Sequence, residues 1–161
     1  MVTKKTRPNY FDIHAMIAKG IDNVQAYELP AGTVYIRPLS DIEIEEAQAV
    51  MLSSIKDPAT KEYLFNLAET NELDKANKVL DEADEDEEAP AKIPNDVDIS
   101  ELYIAMSNHA VRVSFLALRD QTDEFKESDL KKLNGIRALS EEVLRISGYN
   151  QTTIEDIEGF R

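Results

Sequence analysis

The sequence predicts a mainly α protein, a helical bundle with an N-terminal β-hairpin, in two helical halves joined by an acidic linker. Three observations predict it. Apolar residues recur at three- and four-residue steps over most of the chain, the period of a helix with one buried face. Five glycines and six prolines in 161 residues are too few for an all-β protein, which needs turn residues about every 8 to 12 positions. The run DEADEDEE, seven acids in eight residues from Asp81, then separates two such helical stretches. A chain of this length can hide roughly 70% of its unfolded surface, so a sizeable core is within reach.

Residues 1–8 are polar and basic, end in Arg7-Pro8 and read as a loose arm. Tyr10, Ile13, Met16 and Ile17 mark a short first helix that Gly20 would end. Two alternating segments about Pro30-Ala31-Gly32 then read as a hairpin, which must lie on helices because two strands alone are marginal in water. At Ser40 a helix begins: Ser40 and Glu43 have capping-box spacing, and Ile44, Ala47, Met51 and Ile55 form its apolar stripe. Asp57-Pro58 interrupts it. Tyr63, Leu64, Leu67 and Ala68 mark a further helical pattern, and Leu73, Ala76, Val79 and Leu80 another, as one bent helix or two short ones separated at Thr70-Asn71.

Residues 9–82 thus hold a helix, the hairpin and further helices; 83–97 read as an acidic disordered linker, because the segment repels itself and has little apolar surface to bury. The region 98–161 opens with Asp98 and Glu101, again at capping-box spacing. It continues into the longest helical pattern of the chain, where Leu102, Met106, His109, Val113 and Leu116 mark one face and Tyr103, Ala110 and Ala117 widen it. Leu130, Leu133, Ile136, Leu139, Val143 and Ile146 follow on a helix starting at Ser128 or Asp129 and stopping at Ser147-Gly148, with a kink or break expected at Gly135. Thr152 and Glu155 would cap a last short helix ending near Phe160.

Thirty-two acidic against eighteen basic residues give a formal charge of −14. Such a charge repels phosphate backbones and anionic lipid over about 10 Å, which disfavours nucleic-acid and membrane partners. The absence of cysteine excludes disulfides, thiolate nucleophiles and cysteine-bound zinc. Without a signal-like apolar run or a stretch of about 18 apolar residues, the expected location is cytoplasmic, the host cytoplasm for a viral protein.

Catalytic chemistry finds little support. The acidic run lacks the glycine that a calcium loop of the helix-loop-helix kind needs at its sixth position. His14 and His109 have no second histidine at metal-ligand spacing, and neither has a glutamate three positions earlier, as a di-iron helix requires. His109 reads as a core or boundary histidine and His14 as a surface or helix-end one. No G-x-S-x-G elbow, Walker loop or G-x-G-x-x-G is present. No catalytic, metal or cofactor residue emerges, and no cofactor is expected.

What remains is surface for binding. Ile104, Met106, Val111, Val113 and Phe115 give the long helix apolar residues beyond a single stripe. Either a bundle buries them all, or they form a groove for a partner helix or a self-association face.

Two phrases then suggest a family. VYIRPLSDIEIEEAQ, Val34–Gln48, is similar to the strand-then-acidic-helix segment that opens many tail assembly chaperones of tailed phages and related proviruses, and LSEEVLRISGY, Leu139–Tyr149, resembles their closing helix and Ser-Gly ending. Size, acidity and order match too, whereas the acidic linker departs from the pattern. The resemblance implies a non-enzymatic virion-assembly factor that binds the tape measure protein, keeps it soluble and recruits tail-tube subunits. Competing expectations are a permanent structural tail, neck or completion subunit, and an acidic DNA-mimic inhibitor.

Overall fold

The computed structural model describes residues 23–85, 96–118 and 124–149. The arm at 1–8, the first helix with His14, most of the linker and the last short helix fall outside the described residues. Within them the architecture is mainly helical with one antiparallel hairpin, as the periodicity predicts.

Strand β1 (Gln25–Leu29) pairs with β2 (Gly32–Ile36) through the two-residue turn Pro30-Ala31, with Leu29 opposite Gly32 and Gln25 opposite Ile36. This register puts Tyr27, Leu29, Val34 and Ile36 on the face toward the core, while Glu28 and Tyr35 point outward. The chain then enters α1 (Asp41–Ser53), where Ser40 and Glu43 form the expected capping box. Here the Glu43 carboxylate accepts from the Ser40 backbone N–H at 3.0 Å and the Ser40 hydroxyl accepts from the Glu43 N–H at 3.3 Å.

Asp57-Pro58 does more than interrupt. Asp57 caps α2 (Pro58–Glu69), its carboxylate accepting from the Thr60 N–H, and Pro58 fills a first-turn position whose missing donor is no loss. The pattern from Tyr63 to Leu80 resolves into two helices, α2 and α3 (Asp74–Glu85). Asn71 separates them in the left-handed conformation at φ 60°, and the Glu72 N–H reaches back to the Leu67 carbonyl at 2.8 Å, the bonding of a Schellman stop.

Two boundaries of the expected linker move. Helix α3 continues to Glu85, three residues into it, because extending a helix already anchored by packed Leu73, Ala76 and Leu80 requires no new nucleation. At the other end Val97 packs against the core.

Helix α4 (Ile99–Leu118) is the spine of the fold. Its N-terminal part, Leu102, Ala105 and Met106, joins Met51, Ile55, Leu64, Leu73 and Leu80 in one cluster; its C-terminal part, Val113, Leu116 and Ala117, joins Leu29, Ile36, Ile44, Ala47, Leu139 and Val143 in another. Helices α1 and α4 therefore lie antiparallel and span both clusters, and the stretches on either side of the acidic run share a core. The expected capping box at Asp98 and Glu101 is half made. Asp98 accepts from the Ser100 and Glu101 N–H groups, but the Glu101 carboxylate turns to the N–H groups of Lys56 and Asp57, at 2.6 and 3.2 Å. Two free donors in the α1–α2 joint outcompete its own helix end.

The last expected helix breaks where glycine stands. Short α5 (Glu127–Leu130) ends in turns, and α6 (Ile136–Ile146) restarts after Gly135 at φ 88°. A Cβ on Gly135 would approach Pro30 and Leu29 of the hairpin at 3.2 and 3.4 Å, so this glycine both reverses the chain and lets the hairpin close on it.

Candidate functional site

The break at Gly135 opens a cleft of about 670 Å³ between α4 and the α5–α6 turn. Ala110, Val111, Leu130 and Ile136, all buried, make its floor. Tyr103 and Ile104, 55% and 51% exposed, stand on its rim with Leu133. A smaller hollow of about 310 Å³ shares Asn108, Val111 and Lys131 with the cleft and extends it to Val50 of α1. Together they form a groove along one side of α4. From Tyr103 to Val111 it follows the helix for about 12 Å, more than two turns.

The electrostatics of this groove differ from those of the chain as a whole. Among the described residues the main cleft is lined by Lys131 and Arg137 and by no carboxylate, in a protein with fourteen more acids than bases. Arg137 pairs with Asp81 of α3, while Lys131 forms no ion pair among the described residues. Glu127, in the smaller hollow, is engaged by Arg112 Nε at 2.8 Å, and Arg112 also reaches Glu46 of α1 at 2.6 Å. Asn108 is held by its donation to the Ser54 hydroxyl at 2.9 Å. The first turn of α6, Ile136 to Ala138, lines the cleft as well, and its cap Gly135 offers no side-chain acceptor to the free N–H groups there.

Of the five residues expected to bind a partner, Met106, Val111 and Val113 are buried in the core, Val111 at the floor of the groove. Phe115 is half-buried and packs edge-on against Phe125 with ring centroids 5.5 Å apart. Only Ile104 remains well exposed, and it lies on the groove rim. The core claims the other four because α4 has neighbours on several sides, α1, α3, α5, α6 and β2. Sequence reading missed Tyr103, Asn108, Leu133 and Lys131 as groove residues. Tyr103, Ser107 and Val111 do recur at helical spacing, but the stripe mixes apolar and polar residues, and Leu133 reads as core unless the helix is broken.

His109 is buried as expected of a core histidine, with Nε2 lacking a partner among the described residues. Burial away from water lowers its pKa to about 4, so at neutral pH it is uncharged. Among the described residues no group of three or more His, Asp or Glu side chains could hold a metal ion, and no helix is long and apolar enough to cross a membrane.

The fold and groove thus define a small helical protein whose open feature is a helix-sided groove. No family model, curated protein or solved structure matches the chain.

Proposed function

We propose that this protein is a non-enzymatic binding protein whose groove receives a helix of a larger partner, and that it acts as a tail assembly chaperone for a tape measure protein. The groove carries this reading: more than two turns long, with an apolar floor at Ala110, Val111, Leu130 and Ile136 and aromatic and aliphatic residues exposed at its rim, it suits an amphipathic helix laid against α4. The net charge of −14 would keep a complex with an aggregation-prone helical partner dissolved.

A second observation supports the family reading. The two segments that resemble tail assembly chaperones lie far apart in sequence yet meet in the fold. The Leu39 N–H donates to the Ser147 hydroxyl at 2.8 Å, and the Tyr149 hydroxyl donates to Asp41 at 2.5 Å. They form one unit, in which the strand-to-helix joint rests on the helix ending.

Co-expression with a candidate tape measure protein tests the proposal. The expected result is soluble partner only when this protein is present, less of it with Ile104→Asp, and no copies in finished particles. Stoichiometric presence in finished particles would overturn the chaperone reading in favour of a permanent subunit.

A further inference from the structure

The groove's polarity identifies the charge of its occupant. We infer that it selects a partner helix whose apolar stripe is flanked by Asp or Glu, although the protein itself is strongly acidic; this rests on the helix-binding reading above.

Three independent features point the same way. Lys131 lies where the two hollows join, lines both, and has no carboxylate partner among the described residues. Arg137, shared with Asp81 of α3, lines the main cleft as a second cation. The N-terminal turn of α6 contributes the positive end of an eleven-residue helix, capped by a glycine without a side-chain acceptor. Among the described residues no carboxylate lines the main cleft; Asp81, which holds Arg137, is not among its lining residues, and Glu127 in the smaller hollow is already bound by Arg112.

An incoming helix with apolar residues three and four apart would set them on Val111, Leu130 and Ile136, between Ile104 and Leu133. A carboxylate on its flank would then face Lys131 in a partly dehydrated site, where attraction is stronger than in bulk water. A basic flank would instead leave an ammonium beside Lys131, a like-charge contact that discriminates against the wrong partner. The acidic outer surface opposes this occupant at long range, but salt screens that repulsion beyond about 8 Å while the close contact persists. A second copy of the chain would bring its whole negative charge, not one short acidic flank, against the groove. Net charge therefore governs approach, and the groove governs choice.

The test is a displayed library of helical peptides about 20 residues long, with a fixed leucine stripe and Glu or Lys randomised at the flanking positions, selected against the full chain at physiological salt. Enrichment of Glu is expected. Lys131→Glu should weaken the selected peptides about tenfold and shift enrichment toward Lys, while Ile104→Asp should weaken both kinds. Both side chains are exposed, so both variants should keep the wild-type circular dichroism spectrum. Amide shifts on peptide titration should centre on Ile104, Lys131 and Leu133. Enrichment of Lys, or of neither charge, with shifts in the groove would overturn the acidic-flank assignment and leave helix binding standing. Shifts elsewhere, no enrichment of any helix, or dimerisation through the groove that excludes peptide would overturn helix binding itself.

Discussion

Arg37 and Glu43 meet as a two-pronged ion pair across the strand-to-helix joint, with Nη1 and Nη2 of the arginine 3.1 and 2.8 Å from the two carboxylate oxygens. Arg37 is only 4% exposed, and the same glutamate completes the capping box with Ser40. Burial works against the charged form of Glu43, but the bonds from Arg37 and Ser40 outweigh it and hold the carboxyl below its ordinary value. One side chain thereby starts a helix and neutralises the buried cation that follows the strand.

Removing the arginine should therefore harm more than removing the charge of its partner. Arg37→Ala is expected to lower stability by about 2 to 4 kcal/mol, since it strips a desolvated carboxylate of its counter-ion. Glu43→Gln keeps an acceptor for the Ser40 N–H and should cost less, and Arg37→Lys should fall between, lacking the fork. Urea midpoints of the three variants give the order. A cost for Glu43→Gln equal to that of Arg37→Ala would show that the buried Arg37 cation suffers as much from losing its counter-charge as Glu43 does from losing its own.

His109 makes stability depend on mild acid. Its folded pKa near 4 lies below the ordinary 6.5, so between these values the unfolded chain binds a proton that the folded chain refuses. The contribution is complete above about pH 6.5 and declines as pH falls toward 4, by on the order of 3 kcal/mol in all. His109→Leu, close in volume and without the unpaired nitrogen, should leave stability at pH 7.5 within about 1 kcal/mol and flatten the decline between pH 6.5 and 4.5. Unfolding curves at these pH values decide; an equally steep decline in the variant would place the acid sensitivity elsewhere.

Gly135 and Gly148 both adopt positive φ, 88° and 92°, but in different surroundings. A methyl group at 148 meets nothing within 4 Å, so Gly148→Ala should cost only the backbone strain, about 1 kcal/mol. Gly135→Ala adds the pressure on Pro30 and Leu29 and should cost about 1 kcal/mol more. Equal thermal shifts in the two variants would mean that the hairpin yields freely.

Tyr149 offers a spectroscopic reporter on the joint. Its hydrogen bond to Asp41, burial and the nearby charges of Asp41 and Glu45 push the phenol up to about 12. Titration of tyrosine-labelled protein by NMR should show this ring ionising last, and Asp41→Asn should bring it back toward 10. An unchanged titration in that variant would separate the two residues in solution.

Much of this fold can be read directly from residue types because the decisive signals are local. Ser40 and Glu43 cap the helix they precede, Pro30-Ala31 turns the hairpin, and Gly135 breaks the helix that the surrounding leucines would continue. Where tertiary partners compete, local spacing misleads. Glu101 stands where it could complete a box with Asp98, yet two backbone donors 44 and 45 residues away hold it. The groove was harder still to see. Its rim residue Leu133 fits a core stripe until the helix breaks, and its key cation Lys131 is one of many lysines until the turn places it between two hollows.

Because α4 runs through both apolar clusters, neither has a complete wall before α4 is made, and the hairpin cluster waits further for Leu139 and Val143 of α6. During synthesis the hairpin, α1, α2 and α3 leave the ribosome with their leucines and isoleucines still uncovered; α4 closes the cluster around Met51 and Leu64, and α6 then closes the one beneath the hairpin. A nascent chain paused before residue 99 should stay sensitive to protease, and protection should appear in two steps, first around Met51 and Leu64 as α4 emerges and then around the hairpin as α6 follows. For a protein proposed to shelter another chain's apolar helix, its own earliest need is the same: to receive a helix made later.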